Sequence, residues 1–249
     1  MIAIVAAVPL ETARLRRSLS PCEVRRCGHR DLFLGVLNSR KIALLHSGIG
    51  KVNAASAVTA LLEAFRPTAV IVIGCGGAYP NSSLEIGDLA LATEEVFADE
   101  GVATADGFHP FSDLGFPLLP NQIPRLESRF PVDQQLLKDA QPFFEQLAAY
   151  AGCKLIAGPL VTVSTCSGSE QIGKDLELRT GGLCENMEGA AVAQVCRLYG
   201  IPFMELRGIS NRVENRDLDN WDLSGAADIA QRALAAFLAG RNILPESTA

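Results

Sequence analysis

Two glutamates, an arginine and an asparagine stand where this chain can gather polar chemistry into one cleft. Glu11 follows Pro9, a residue suited to the first helical position, so Glu11 falls in the first turn of a helix. Glu188 opens a second helix, whose residues Ala190, Ala191, Val195, Leu198 and Tyr199 recur at three- and four-residue spacing and predict one buried face. Gly200 can cap that helix and Pro202 cannot continue it. The run Phe203-Met204-Glu205-Leu206 then reads as a strand that delivers Arg207, Ser210 and Asn211 to its C-terminal end. In open α/β sheets ligands bind at that end. A carboxylate only accepts hydrogen bonds and can take two neighbouring hydroxyls together, whereas an asparagine amide both donates and accepts. Hydroxyl binding and recognition of a polar ring edge are the chemistries these side chains offer.

The elements that must position them alternate along the chain. Strand-like runs at 2–7, 42–46, 69–74, 89–95, 160–164 and 203–207 are interleaved with helical patterns at 52–65, 134–150, 189–199 and 225–238. Such alternation predicts a three-layer α/β/α fold with a central mixed, largely parallel twisted sheet. One domain over 1–240 is expected, with 241–249 as a flexible C-terminal tail. The stretch 99–124 is a long connection carrying Phe108, Phe111 and Phe116, and its aromatic content suggests a binding loop.

A chain of 249 residues with 48% hydrophobic content is long enough to bury a substantial core and too apolar to be disordered. Its formal net charge of −6 supplies no basic footprint for nucleic acid. The opening MIAIVAAVPL lacks a basic leader and is too short to span a bilayer, so it reads as a buried first strand and no membrane association is expected. Seven cysteines without a CxxC pair suggest reduced, mostly buried thiols and a cytoplasmic location. The three histidines show no ligand spacing, so no metal is expected, and Cys166 has no partner base that would make it a nucleophile. Ser47-Gly48-Ile49-Gly50-Lys51 lacks the P-loop spacing, and Gly74-Cys75-Gly76-Gly77 is not a dinucleotide fingerprint, although its glycines can let a ligand approach backbone amides.

Four segments in order carry a resemblance that covers nearly the whole chain: the opening strand with Glu11 just beyond it, HSGIGKVNAASA at 46–57, IVIGCGGA at 71–78, and NMEGAAVAQVC followed by IPFMELRGISN at 186–211. Together they resemble the purine nucleoside phosphorylase / nucleosidase superfamily, and within it the hydrolytic branch typified by 5′-methylthioadenosine/S-adenosylhomocysteine nucleosidase. The resemblance implies that Glu11 activates the water attacking the anomeric carbon, where an oxocarbenium-like sugar profits from a nearby carboxylate. It implies that Glu188 takes the ribose 2′- and 3′-hydroxyls while Met187 packs against the sugar, and that Arg207 lies near the nucleophile. Cys75 and Gly76 fall beside the space that holds phosphate in phosphorylases and water in hydrolases. No cofactor is implied, and the family habit is a homodimer. Two departures stand out: Asn186 occupies a position that is usually glutamate, and Cys75 one that is often serine.

The third departure bears on the substrate. Where the adenine-specific nucleosidases carry an aspartate that assists N7 of the leaving base, this chain has Asn211. Adenine offers an amino donor at C6 and suits an acceptor, but a 6-oxopurine offers O6, which an asparagine amide can meet. Asn211, the segment VSTCSGS at 163–169 and the stretch 98–120 together resemble the futalosine hydrolase branch. That resemblance implies release of hypoxanthine from futalosine, leaving dehypoxanthine futalosine in a route to menaquinone. The base would then be contacted by Asn211 and by Thr165, Cys166 and Ser167. Phe108 and Phe111 would pack against the aromatic 5′ group, whose carboxylate would meet His109 or an arginine. The alternatives are an adenine-directed methylthioadenosine-type nucleosidase, a purine nucleoside phosphorylase and a nucleoside-binding module without activity.

Overall fold

In the computed structural model, which describes residues 1–111, 113–121 and 125–240, the first buried run is strand β1 (Ile2–Ala6). It lies parallel between β4 (Arg40–His46) and β5 (Ala69–Ala78). These strands are near-continuous apolar runs because helices cover both of their faces. The antiparallel strands β2 (Cys22–Cys27) and β3 (Arg30–Leu37) extend the sheet beyond β4. On the other side β12 (Phe203–Arg212) pairs with β5, followed by β6 (Leu89–Phe97), β10 (Leu155–Thr162) and β11 (Cys184–Asn186). The ribbon β7 (Gly101–Thr104) with β8 (Gly107–Pro110) stands apart, and β9 (Arg129–Pro131) joins the edge of β6.

The sheet is mixed, as the alternating pattern predicts, but among the described residues five of its ten strand pairings are antiparallel rather than the sheet being largely parallel, and it is not a plain open layer. Strand β11 pairs with β10 on one side and with the end of β5 on the other, closing part of the sheet into a ring. The reason is local: β5 runs on through Gly76 and Gly77 to Ala78, so its end reaches Cys184 and Glu185. Both β5 and β12 are therefore longer than the sequence pattern suggests, and Asn211 lies inside β12 opposite Gly77 rather than beyond the strand. A register irregularity between Ile209 and Asn211 leaves Ser210 unpaired and re-aims the side chains around it.

Helix α2 (Lys51–Phe65) buries Ala54, Ala57, Val58, Leu61 and Leu62 at helical spacing and packs against α5 (Gly189–Tyr199). In α5 the residues Gly189–Ala193 and Cys196 are buried, whereas Leu198, expected inside, is exposed. Helices α3 (Gln134–Ala151) and α6 (Leu223–Ala239) pack together, with the short α1 (Ala13–Ser18) also against α6, and α6 lies on β12. Helix α4 (Glu170–Thr180) is mostly polar, which hid it from the apolar periodicity. All seven cysteines are free thiols, three of them buried, three partly buried and Cys22 exposed. The expected tail at 241–249 lies outside the described residues. No helix among the described residues is long and apolar enough to cross a membrane.

Close packing of α6 on β12 depends on Gly208. A Cβ there would sit 2.0 Å from the Ala226 carbonyl oxygen, a backbone atom that cannot rotate away. Gly208→Ala is expected to destabilise the fold by about 1–3 kcal/mol, the usual cost of overpacking. Denaturant unfolding measures it, and an unchanged midpoint would contradict the packing described.

Candidate active site

A cavity of about 280 Å³ opens at the C-terminal ends of the parallel strands. Glu11 reaches it from the 3₁₀ turn Pro9–Thr12 that follows β1. Its Oε2 accepts from the Ala7 and Val8 amides at 2.9 and 3.1 Å, and its Oε1 from the Cys75 amide at 2.9 Å. Burial raises the Glu11 pKa above the ordinary value, against the pull of Arg207 and of the Cys75 and Val8 amides. Oε1 also lies within 2.5 Å of the point where a Cβ on Gly74 would stand, and Arg207 Nη1 within 2.4 Å of it. Only glycine admits both groups there.

Arg207 is buried, and each of its nitrogens is engaged. Nε donates to Glu205 Oε1 at 2.6 Å, Nη1 to the Cys75 carbonyl at 3.1 Å and Nη2 to Glu188 Oε2 at 3.3 Å. Burial opposes its charge, but Glu205, Glu188 and Glu11 outweigh burial and hold the guanidinium above its ordinary pKa. Glu188 stands at the N-cap of α5, and its Oε1 accepts from the Gly50 amide at 2.9 Å. The Gly48–Gly50 loop thus serves to fix a carboxylate, with Gly50 at φ +94°.

Asn186 explains its own departure from glutamate. Its Oδ1 accepts from the Glu188 and Gly189 amides at 3.0 and 2.8 Å, and its Nδ2 donates to Glu95 Oε2 at 3.3 Å. A glutamate here would set another carboxylate beside Glu95, which burial and the neighbouring Glu205 already push well up. Glu95 and Glu205, both fully buried, are residues that sequence reasoning missed. The signal was present: Glu205 and Arg207 are two apart on a strand and so share a face.

At the other end of the cavity, Ser210 donates its hydroxyl to Asn211 Oδ1 at 2.8 Å, and Asn211 Nδ2 donates to the Arg212 carbonyl at 3.2 Å. Cys75, Gly76, Cys166, Ser167 and Met187 also line the wall. The Cys75 thiol is pushed up to about 12 by burial and by Glu11, so it stays neutral. Thr165 is exposed and does not line the cavity. Phe108 and Phe111 do not line it either: Phe108 sits on the β7–β8 ribbon with its ring 4.2 Å from the Arg179 guanidinium carbon, and Phe116 is exposed. The apolar lining comes instead from Val8, Leu10, Ile49, Trp221 and Leu223.

A family model described as the Phosphorylase superfamily matches residues 1–240. The chain belongs to that superfamily. It is 33% identical over 211 residues to a 5′-methylthioadenosine/S-adenosylhomocysteine nucleosidase of Halalkalibacterium halodurans, covering 84% of each chain. A Staphylococcus haemolyticus protein of the same name is 32% identical over 92% of this chain and 90% of its own. The crystal structure of the Neisseria meningitidis nucleosidase of that name, in complex with methylthio-immucillin-A, superposes with a TM-score of 0.82 at 25% identity, covering 96% of this chain and 99% of that one.

A carboxylate fixed by three amides and facing the cavity can orient and deprotonate a water. Glu11→Gln is expected to lower turnover roughly 10²–10⁴-fold while substrate affinity is largely kept, since a positioned general base contributes about that much. Because its pKa is raised, wild-type kcat/KM should fall on the acid side at a pH above 4.5, the ordinary glutamate value, as Glu11 takes up a proton. Near-wild-type turnover in the variant would remove Glu11 from the reaction.

Proposed function

We propose that the protein hydrolyses the N-glycosidic bond of a purine nucleoside, that the departing base is a 6-oxopurine, and that the substrate is futalosine. The observation that carries hydrolysis is the Glu11 carboxylate beside Arg207, with every Arg207 nitrogen already bonded to protein acceptors. Water needs only the carboxylate, whereas a phosphate nucleophile would be set against the Glu11 and Glu188 carboxylates, with three of the five Arg207 N–H donors already given to protein acceptors. Glu11 accepts the proton of the attacking water, the water oxygen bonds to the anomeric carbon, and the base leaves with the electron pair of the glycosidic bond. Glu188 retains acceptor capacity on both oxygens for the ribose hydroxyls. Met187 packs against the sugar.

Asn211 supports the choice of base. Its oxygen takes the Ser210 hydroxyl and its nitrogen gives one proton to Arg212, which leaves one N–H for the ligand. That donor suits O6 of hypoxanthine and opposes the amino group of adenine. The exposed apolar residues Leu10, Ile49 and Leu223 at the cavity opening suit a large aromatic 5′ group. A second reading, a 5′-methylthioadenosine/S-adenosylhomocysteine nucleosidase, is favoured by the names of the relatives on both sequence and structure. A homodimer in the cytoplasm fits either reading, and exposed Val52 and Phe116 supply apolar surface for the pairing.

Incubating the protein with futalosine, inosine and methylthioadenosine separates the readings by the base released. Fastest release of hypoxanthine from futalosine is expected; fastest release of adenine from methylthioadenosine would transfer the assignment to the second reading.

Two substitutions test the contacts. Glu188→Gln should impair a ribonucleoside far more than its 2′-deoxy analogue, because an amide cannot accept from both hydroxyls while keeping its Gly50 and Arg207 partners. Equal losses would place Glu188 outside the ribose grip. Asn211→Asp should lower the ratio of hypoxanthine to adenine release from substrates sharing one 5′ group, roughly ten- to a hundredfold, from a mismatch of about 1–3 kcal/mol. An unchanged ratio would move base choice elsewhere.

A further inference from the structure

Glu185 takes no part in water activation or in the ribose grip, yet it is a buried acid in the cavity wall. Strand alternation explains its direction. The Asn186 side chain turns to Glu95 on one side of β11 while Asn186 still borders the cavity, and Glu185, one residue earlier, lines the cavity wall. Its two oxygens accept from one residue, Ser167: Oε1 from the backbone amide at 2.9 Å and Oε2 from the hydroxyl at 2.6 Å. That double contact fixes the carboxylate plane and leaves a lone pair on each oxygen. Arg216, another cavity residue, opposes the rise that burial imposes on Glu185.

Asn211 is its neighbour across Gly77. The point where a Gly77 Cβ would stand is 3.0 Å from Asn211 Nδ2 and 3.5 Å from Glu185 Cγ. One stretch of wall therefore brings a donor and a carboxylate side chain together around Gly77, with Val213 Cγ2 3.2 Å from the same point. The two hydrogen-bonding atoms of a 6-oxopurine edge, the O6 acceptor and the N1–H donor, are adjacent in the same sense. Adenine has the opposite pair, an amino donor and an unprotonated N1.

We infer that Glu185 is a base-reading residue that accepts the N1–H of a 6-oxopurine while Asn211 donates to O6, so that the pair sets base specificity. The inference rests on the 6-oxopurine reading above and names the group that completes it. A residue serving only to anchor the 163–169 loop through Ser167 would affect all ligands alike; a base reader affects only those with a proton on N1.

Calorimetric titration of the wild-type protein and of Glu185→Gln with free hypoxanthine, 1-methylhypoxanthine and adenine makes that distinction. Glutamine keeps a carbonyl for the Ser167 amide and a donor for its hydroxyl oxygen, so the loop stays anchored. Wild-type protein should bind hypoxanthine roughly ten- to a hundredfold more tightly than its 1-methyl form, the usual size of an unpaired buried polar group. In Glu185→Gln that gap should close through loss of hypoxanthine affinity. Wild-type protein that binds the two bases equally, or a gap that survives the substitution, would overturn the role of Glu185 and leave the hydrolase reading standing. Uniform weakening of all three bases would make Glu185 an anchor and overturn it too. Wild-type preference for adenine would overturn the 6-oxopurine reading itself, and this inference with it.

Discussion

A single buried guanidinium governs the site. Arg207 lies on the central strand β12 with Glu205 behind it, Glu188 beside it and Glu11 across Gly74. Three carboxylates around one cation is an expensive arrangement to bury, and removing one member of a buried ion pair typically costs about 3–5 kcal/mol. The fold meets that demand with backbone amides: three on Glu11 and one on Glu188. Those amides come from the residues just after β1, from within β5 and from the loop before α2, so three separate segments must meet at the site. The same electrostatics determine the nucleophile. With the Glu11 and Glu188 carboxylates lining the cavity beside Arg207, a further anion is disfavoured and a neutral water is accepted.

Behind this cluster a second set of polar groups supports it. Burial together with the neighbouring Glu205 pushes the Glu95 carboxyl well above its ordinary range. It receives the Asn186 amide, whose oxygen in turn holds the Glu188 and Gly189 amides at the start of α5. Gly189 is required at that start, because a Cβ would stand 2.3 Å from Glu95 Oε2 and 2.4 Å from Glu205 Oε2. The position of Glu188 is thus fixed from behind by hydrogen bonds through Asn186 and from the front by Arg207.

The polar residues at the centre of the cavity were legible in the sequence, because each belongs to a local signal, whereas the apolar lining was not. Glu11 follows a helix-starting proline, Glu188 opens a periodic helix, and Arg207 and Asn211 follow an apolar run. Long-range pairing was not legible. Nothing local announces that Gly76 and Gly77 continue β5, or that a three-residue strand at Cys184–Asn186 closes the ring and turns Glu185 inward. The outer strand β2 was hidden by its polar, largely exposed residues, and α4 by its lack of an apolar stripe. The aromatic loop misled for a related reason: Phe108 has the composition of a pocket residue, but the ribbon that carries it packs on Arg179.

The claim on which the account rests is that the Arg207 cluster admits water and not phosphate. Following the sugar product of a cleaved nucleoside by phosphorus and proton NMR, in phosphate buffer and in phosphate-free buffer, tests it directly. The account predicts free reducing sugar in both, formed at the same rate. Accumulation of the sugar 1-phosphate, with turnover that depends on phosphate, would contradict it.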